Sequence, residues 1–281
     1  MRFVNVEGRS GLLVDDAVYD GAAVADLPVD PMSAIEALRA ARISPSALSG
    51  GSPIGDVRLT APVPRPSKII GAGLNYRSHA EELGLPIPAQ PILFLRLPSA
   101  VIGPHDDIVL PVGRVDWEAE LVVVMGRRGR HIPVGRAWEH VAGLTCGQDV
   151  SHRDEQDRGG EWMSIAKSFD TFAPIGPVLV TPDELEEPND LSLACWLDGE
   201  LVQSTKTSDM VFTVPELVAR ISTICTLEPG DLIFTGTPPG VGMGRRPPRF
   251  LANGNVLETE IQGIGRMTNR CVAEGSLAPT A

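Results

Sequence analysis

The sequence has few cysteines, few aromatic residues and no long apolar runs. Its four cysteines lie far apart and form no Cys-x-x-Cys pair, so neither a zinc finger nor a disulfide framework is indicated, and reduced, buried thiols are expected. No apolar run approaches the roughly 20 residues that a membrane-spanning helix needs, and charge interrupts the first apolar stretch. These absences predict a soluble, cytoplasmic protein.

Basic residues are scarcer than acidic ones: 24 Lys and Arg stand against 36 Asp and Glu, which gives a formal net charge of -12. Nonspecific nucleic-acid binding depends on basic residues that displace phosphate counterions, so this charge argues against it. An anionic substrate would need local positive charge. The 29 glycines and 25 prolines fall between short apolar runs, which indicates many strands and turns and a mainly β protein with some α-helix (α+β).

The proline-rich segment 61–67 marks the predicted domain boundary, because each proline restricts its own backbone and that of the preceding residue. We expect a small N-terminal domain over residues 1–62 and a catalytic domain over residues 63–281. The first should contain strands at 2–6 and 12–18 and a helix from Pro31 to about residue 41, with Asp30 as N-cap. In the second, the pattern predicts strands at 68–72, 92–96, 107–110, 115–125, 143–150, 176–180, 192–197 and 231–235, and helices that begin near Asn75 or Ser78 and end at Gly84, that span about 134–142, and that span about 214–225.

Three acidic residues alternate along one predicted strand: Asp116, Glu118 and Glu120. Successive side chains alternate across a strand, so these three share a face, and their repulsion falls only if they protonate or if a cation lies between them. Asp149, at the end of a later strand, is the best candidate for a further ligand. Oxygen ligands without nearby His or Cys favour magnesium, manganese or calcium over zinc. The alternative is that these acids form the solvated face of the strand.

His79 and Glu82 lie three residues apart on a predicted helix. The carboxylate could orient the imidazole and make it a general base that activates water. Taken alone, the pair is more typical of a helix surface, where it would contribute a few tenths of a kcal/mol.

Lys167 stands among apolar residues, where a lysine needs a carboxylate partner or a substrate anion. It could hold a substrate carboxylate or stabilise an enolate, or its ammonium could simply reach solvent. Further candidates for anion contact are Arg96, Arg153 and Gln156.

A glycine-rich segment, 234–244, follows a predicted strand and could present backbone N–H groups and the hydroxyls of Thr235 and Thr237 to an anion. It lacks the Gly-Lys-Ser/Thr end of a P-loop, and Gly71-Ala72-Gly73 lacks the third glycine of a dinucleotide fingerprint. No nucleotide cofactor is therefore predicted.

Five ordered motifs resemble the fumarylacetoacetate hydrolase family. They are Gly-Leu-Asn-Tyr-x-x-His-x-x-Glu at 73–82, Asp-Trp-Glu-x-Glu-Leu at 116–121, Gln-Asp-Val-Ser-x-Arg-Asp-x-Gln at 148–156, Lys-Ser-Phe-Asp-Thr-Phe at 167–172 and Thr-Gly-Thr-Pro-Pro-Gly-Val-Gly at 235–242. The resemblance spans residues 66–272. The segment after residue 240 is similar to one branch of the family, which contains the fumarylacetoacetate hydrolase domain-containing 2 proteins and the diketo-deoxy-sugar-acid hydrolases.

The resemblance implies a C-terminal mixed β-roll, a small N-terminal α/β domain and a homodimer. It implies magnesium or manganese held by Glu118, Glu120 and Asp149, with Asp116 left as a structural acid. The other implied roles are a catalytic His79–Glu82 dyad, a substrate-polarising Lys167, and pocket contacts from Gln156 and Thr237. Four positions depart from the expected pattern: Arg96, Gln148, His152 and Asn255.

The function implied is that of a metal-dependent enzyme acting on small anionic 2-oxo or 2,4-dioxo acids. We expect hydrolysis of a carbon–carbon bond, as in acylpyruvate or fumarylpyruvate hydrolases, through a metal-stabilised enolate and water activated by the dyad. Four alternatives stay open: oxaloacetate decarboxylation or tautomerisation, isomerisation of a 2-hydroxyhepta-2,4-diene-1,7-dioate, ureidoglycolate-type lyase chemistry, and a non-catalytic scaffold stabilised by metal.

Overall fold

The computed structural model describes residues 1–159 and 162–276. Its α-helices are α1 Gly21–Ala25, α2 Pro31–Ala37, α3 Arg77–Leu83, α4 Arg153–Gln156, α5 Trp162–Ala166 and α6 Val214–Ile224. Its strands are β1 Arg2–Val6, β2 Arg9–Val14, β3 Ala17–Asp20, β4 Ser52–Pro53, β5 Leu59–Thr60, β6 Ile69–Gly73, β7 Ile92–Arg96, β8 Val101–Ile102, β9 Ile108–Leu110, β10 Val115–Asp116, β11 Ala119–Met125, β12 Val141–Gln148, β13 Ser151–His152, β14 Ala173–Val180, β15 Ser192–Leu197, β16 Glu200–Lys206, β17 Leu232–Phe234, β18 Val256–Ile261 and β19 Gly265–Ala273.

The strands form three sheets in the part of the chain that is described. The largest has the order β4-β3-β2-β1-β14-β12-β11-β17-β6-β7, with β5 paired to β1 and β8 to β14. The second has the order β16-β15-β18-β19-β9, and β10 pairs with β13 alone. The expected mixed, mainly β architecture with few helices is confirmed.

Strand β11 explains why the large sheet lies at the centre of the protein. All seven of its residues are buried, and alternation sends Leu121 and Val123 into one hydrophobic core and Val122 and Val124 into another. A strand buried on both faces is expected to be rich in Val and Leu, as this one is. Each such side chain contributes roughly 1.5–3 kcal/mol by leaving water, so β11 is a rigid base for the acidic residues at its start.

The helix predicted from Pro31 is confirmed, because the Asp30 carboxylate caps it by accepting the Ser33 N–H at 2.9 Å. It ends at Ala37, four residues earlier than expected. Helix α3 ends at Gly84, as predicted, in the left-handed conformation with a φ of 65°.

Other local predictions were wrong. The N-cap of α3 is Tyr76, and neither Asn75 nor Ser78, the two predicted caps, occupies that position. The predicted helix near 134–142 is a 3₁₀-helix, Val134–His140, followed directly by β12. The predicted strand 115–125 breaks between Asp116 and Ala119, so β10 pairs with β13 while β11 pairs with β12 and β17.

The N-terminal strands extend the large sheet, since β1 pairs antiparallel with β14 through Arg2 opposite Val180 and Phe3 opposite Leu179. The domain boundary near residue 62 stays a prediction. Three cysteines are buried, Cys225 is partly exposed, and all four are unpaired. Among the residues described, no helix is both long enough and apolar enough to cross a membrane.

Candidate active site

Glu118, Glu120 and Asp149 form a buried cluster in which ligand oxygens of all three lie within 4.8 Å of one another. The register of β11 on β12 brings them together, because Ala119 lies opposite Gln148 and the Asp149 N–H donates to the Glu118 carbonyl at 2.8 Å. The side chains of Glu118 and Glu120 therefore meet Asp149 at one end of the hairpin. Three carboxylates without His or Cys suit a hard divalent cation.

The ionisation of the cluster is uneven. Burial opposes ionisation of Glu118, but Lys167 and Arg153 outweigh it and lower the pKa of Glu118 to about 2. Burial, followed by the Asp149 carboxylate, raises the pKa of Glu120 well above its ordinary value. Glu120 accepts one backbone N–H, from Gly236 at 2.8 Å, and contacts no basic side chain in the described residues. The donor set thus fits a divalent cation, whose charge would favour the ionised form of Glu120.

Lys167 lies against this cluster and does not reach solvent. Its Nζ donates to Glu118 Oε2 at 2.8 Å, to Ser151 Oγ at 2.9 Å and to Asp149 Oδ2, which uses all three ammonium protons. It also lies 4.9 Å from the centroid of the Phe94 ring. The ammonium is therefore fixed beside Glu118 and Asp149.

Asp116 is turned away from the cluster. It accepts backbone N–H groups of Trp117, Gly242 and Met243 at 2.7–3.0 Å, and Arg153 Nη2 lies 2.7 Å from its Oδ2. Arg153 Nη2 also lies 2.7 Å from Glu118 Oε1. Asp116 thus holds Arg153 beside the cluster and ties the 242–243 loop to β10.

His79 and Glu82 form a pair within hydrogen-bond distance, with His79 Nδ1 2.9 Å from Glu82 Oε2. Because an ionised carboxylate only accepts, Nδ1 carries the proton and Nε2 is the basic nitrogen. The other oxygen of Glu82 accepts the Gly240 N–H at 2.9 Å, which fixes the carboxylate. His79 is buried, so the pair is not a free surface pair.

Asn75 was not singled out for a role in the site, yet it fixes the start of α3. Its amide donates to the carbonyls of Thr235 and Phe212 and accepts the Phe212 N–H at 2.8 Å. The sequence signal for this role is an asparagine placed just before the helix that carries His79.

A cavity of about 310 Å³ joins these groups. The predicted site residues that line it are His79, Glu118, Glu120, Asp149, Arg153, Gln156, Lys167 and Thr237. Gln156 is positioned by Arg153 at 2.7 Å, and Thr237 is held by Gln203 at 2.9 Å. The remaining wall is largely apolar and includes Leu83, Leu85, Ile92, Phe94, Met163 and Met243.

Two predicted site residues, Glu82 and Arg96, do not line this cavity, and Glu82 reaches it only through His79. Arg96 lies further back. It is buried behind Asp149, where Nη1 donates to Asp149 Oδ1 and Nη2 donates to the Phe172 carbonyl at 2.6 Å. Its predicted contact with substrate stays a prediction, whereas its contact with Asp149 is direct.

The other three unusual positions make structural contacts, and those of Asn255 lie outside the cavity lining. Gln148 accepts the Glu118 N–H at 2.9 Å and donates to Thr259 at 2.8 Å. The His152 ring stacks on a phenylalanine, Phe169, at a centroid distance of 5.2 Å. Asn255 accepts the Ala252 N–H at 2.7 Å and so closes a turn.

Comparison with known proteins gives a consistent result. Residues 68–272 match the family described as Fumarylacetoacetate (FAA) hydrolase C-terminal. Oxaloacetate tautomerase FAHD2B, mitochondrial, of Bos taurus is 47% identical over 223 residues, which cover 78% of this chain and 71% of the relative. A solved structure described as an HpcE protein from Mycobacterium smegmatis is 45% identical, with a TM-score of 0.89, and the match covers 98% of this chain and 100% of that one. Maleylpyruvate hydrolase from Sphingobium sp. SYK-6, solved with manganese(II) and pyruvate, is 29% identical, with a TM-score of 0.79 and coverage of 97% and 99%.

Proposed function

This chain belongs to the fumarylacetoacetate hydrolase family, and from that premise we propose that it is a divalent-metal-dependent enzyme that forms the enolate of a 2-oxo acid. One observation carries the proposal: three buried carboxylates meet beside the fixed ammonium of Lys167 at the floor of a cavity. Glu118, Glu120 and Asp149 would hold magnesium or manganese. Such an ion supplies an electrophilic charge for the carboxylate and keto oxygens of a 2-oxo acid.

Lys167, His79 and Glu82 would each have a separate role in this reaction. Lys167 stabilises the negative charge that grows on the keto oxygen as a proton leaves the neighbouring carbon. His79 accepts that proton at Nε2, and Glu82 keeps the ring in the required tautomer through Nδ1. When His79 returns the proton to oxygen instead of carbon, the net reaction is keto–enol tautomerisation. The name of the Bos taurus relative favours this reaction.

Hydrolysis of a carbon–carbon bond is the second candidate, and the Sphingobium maleylpyruvate hydrolase favours it. In that reaction His79 would take a proton from water that attacks the distal carbonyl of a 2,4-dioxo acid, and Lys167 would stabilise the departing pyruvate enolate. Both reactions need the three carboxylates and Lys167, and they differ in whether water reaches the substrate.

A substrate panel with magnesium or manganese tests the proposal and separates the candidates. The panel contains oxaloacetate, acylpyruvates, fumarylpyruvate, a 2-hydroxyhepta-2,4-diene-1,7-dioate and 2,4-diketo-3-deoxy sugar acids. Loss of enol absorbance without new carbon fragments identifies a tautomerase, and a shifted double bond identifies an isomerase. Release of pyruvate together with a second carboxylic acid identifies a hydrolase, whereas release of pyruvate and carbon dioxide from oxaloacetate identifies a decarboxylase. Absence of metal-dependent turnover on every compound would contradict the proposal and favour a scaffold.

Replacement of His79 tests the proton-transfer role. We expect His79→Ala to lower kcat by about 10²- to 10³-fold, because positioned acid–base groups typically contribute this much. The affinity for manganese, measured by calorimetry, should stay within twofold, since His79 is not part of the carboxylate cluster. His105→Ala removes an exposed histidine and is the matched control. A fully active His79→Ala enzyme would refute the role.

We also propose that two copies form a homodimer. Leu95 and Leu97 are 61% and 60% exposed beside a groove of about 480 Å³ that also exposes Ile165. Apolar patches of this kind are typical of interaction surfaces. Light scattering during gel filtration should give twice the chain mass, and Leu95→Asp/Leu97→Asp should give one chain mass, whereas the exposed control Val134→Asp should not. A monomeric parent protein would contradict this proposal.

A further inference from the structure

Two serines attach the segment that carries Lys167 to the outer edge of β7. The Leu95 N–H donates to Ser164 Oγ at 3.2 Å, and the Leu97 N–H donates to Ser168 Oγ at 3.1 Å. Alternate N–H groups of a strand point to the same side, and residues four apart on a helical turn share a face, so the two spacings match. Ser168 Oγ also donates to the Ser164 carbonyl at 2.5 Å, which joins the two attachment points.

The residues between the attachment points carry charges that converge on one metal-site carboxylate. Arg96 follows Leu95 in the strand, and Lys167 precedes Ser168 in the chain. Arg96 Nη1 donates to Asp149 Oδ1, and Lys167 Nζ donates to Asp149 Oδ2. The two backbones are thus joined on the outside of the sheet, while their side chains meet at Asp149 inside it.

From this geometry we infer that Ser164 and Ser168 are positioning residues that fix Lys167 in the active site. The inference rests on the proposed function, because it gives Lys167 a part in the reaction. Helix α5 has five residues, and so short a helix is not stable in water without tertiary contacts. Lysine has four rotatable side-chain bonds, so its ammonium is placed accurately only if the backbone at residue 167 is held.

The alternative is that the serines only cover an exposed sheet edge, as many proteins do to prevent strand pairing. The two roles predict different results for the Ser164→Ala/Ser168→Ala variant. Edge cover alone would lower the melting temperature and leave kcat unchanged. Positioning requires that kcat falls, since a displacement of about 1 Å in an active site can reduce the rate by about a hundredfold.

We expect the double alanine variant to lose about ten- to a hundredfold in kcat on a substrate that the panel identifies, with KM and the manganese dissociation constant within threefold. Ser164→Thr/Ser168→Thr keeps both hydroxyl acceptors and should recover most of kcat. Ser208→Ala removes an exposed, hydrogen-bonded serine outside the cavity lining and is the control. An unchanged kcat, or a weaker manganese affinity in proportion to kcat, would overturn the inference.

A second measurement does not depend on turnover. The chain contains three lysines, and the side chains of Lys167 and Lys206 are 4% and 57% exposed. The rates of acetylation at the two lysines can be measured by peptide mass spectrometry. In the parent protein, Lys167 should be acetylated at least tenfold more slowly than Lys206. In the double alanine variant, the ratio of the Lys206 rate to the Lys167 rate should be severalfold smaller. An unchanged ratio overturns the inference even if the enzyme is active. A parent protein without metal-dependent turnover, but with the narrowed ratio in the variant, would refute the proposed function and keep the attachment of Lys167.

Discussion

Glu120→Gln is expected to lower kcat/KM by at least about ten-thousandfold, which corresponds to roughly 5 kcal/mol of transition-state stabilisation. The substitution keeps the size of the side chain and removes one of the three negative charges that would hold the cation. Glu118 and Asp149 each contact Lys167, whereas Glu120 contacts no basic side chain among the described residues. Replacement of Glu120 therefore removes charge from the metal site without leaving a buried lysine or arginine unpaired.

Stability should change in the opposite direction from activity. Burial and Asp149 raise the pKa of Glu120, so ionisation of Glu120 destabilises the metal-free fold once the pH exceeds the ordinary value of about 4.5. The metal-free Glu120→Gln protein should therefore be at least as stable as the parent protein at pH 7 in urea unfolding.

The measurements are kcat/KM at saturating magnesium and manganese binding by calorimetry. Glu139→Gln removes an exposed carboxylate that pairs with Arg136 and should leave both quantities unchanged. If Glu120→Gln kept more than one tenth of the activity, the three carboxylates would not be the ligands of a catalytic ion.

The three alternating acidic residues, Asp116, Glu118 and Glu120, show what a local sequence pattern can predict. Alternation correctly indicated that the carboxylates of Glu118 and Glu120 lie close together, because that relation depends on neighbouring residues. It could not show that the strand breaks at Trp117, which turns Asp116 toward Arg153 and the 242–243 loop. That break depends on partners more than 30 residues away along the chain.

Long-range strand pairing also determines the positions of the basic side chains. The apolar surroundings of Lys167 indicated that it needs a carboxylate, but its three acceptors become known only when β11, β12 and the following loop are assembled. Arg96 was expected at the substrate, and it lies behind Asp149 because β7 pairs with β6 at the edge of the large sheet. Strands β16, β18 and β19 were not predicted at all, whereas the helix that Asp30 caps was.

Asp116→Ala is expected to lower the free energy of unfolding by about 3–5 kcal/mol. Asp116 is fully buried, and its carboxylate accepts three backbone N–H groups and neutralises Arg153. Alanine leaves these donors buried without acceptors, and unsatisfied buried groups cost about 1–3 kcal/mol each when they cannot reach water. Among the described residues, Arg153 would keep Glu118 as its one carboxylate partner, and the charge of Glu118 must also serve Lys167 and the proposed cation.

Urea unfolding at pH 7 measures this effect, and Asp190→Ala is the matched control because its carboxylate pairs with Lys206 at the surface, where such pairs contribute less than about 1 kcal/mol. Asp116→Asn should lie between the two, since the amide keeps one acceptor oxygen. Activity should fall together with stability, because the loop that Asp116 holds at Gly242 and Met243 also presents the Gly240 N–H to Glu82. A loss below 1 kcal/mol in Asp116→Ala would mean that water replaces the carboxylate, and that the loop keeps its position without the strand.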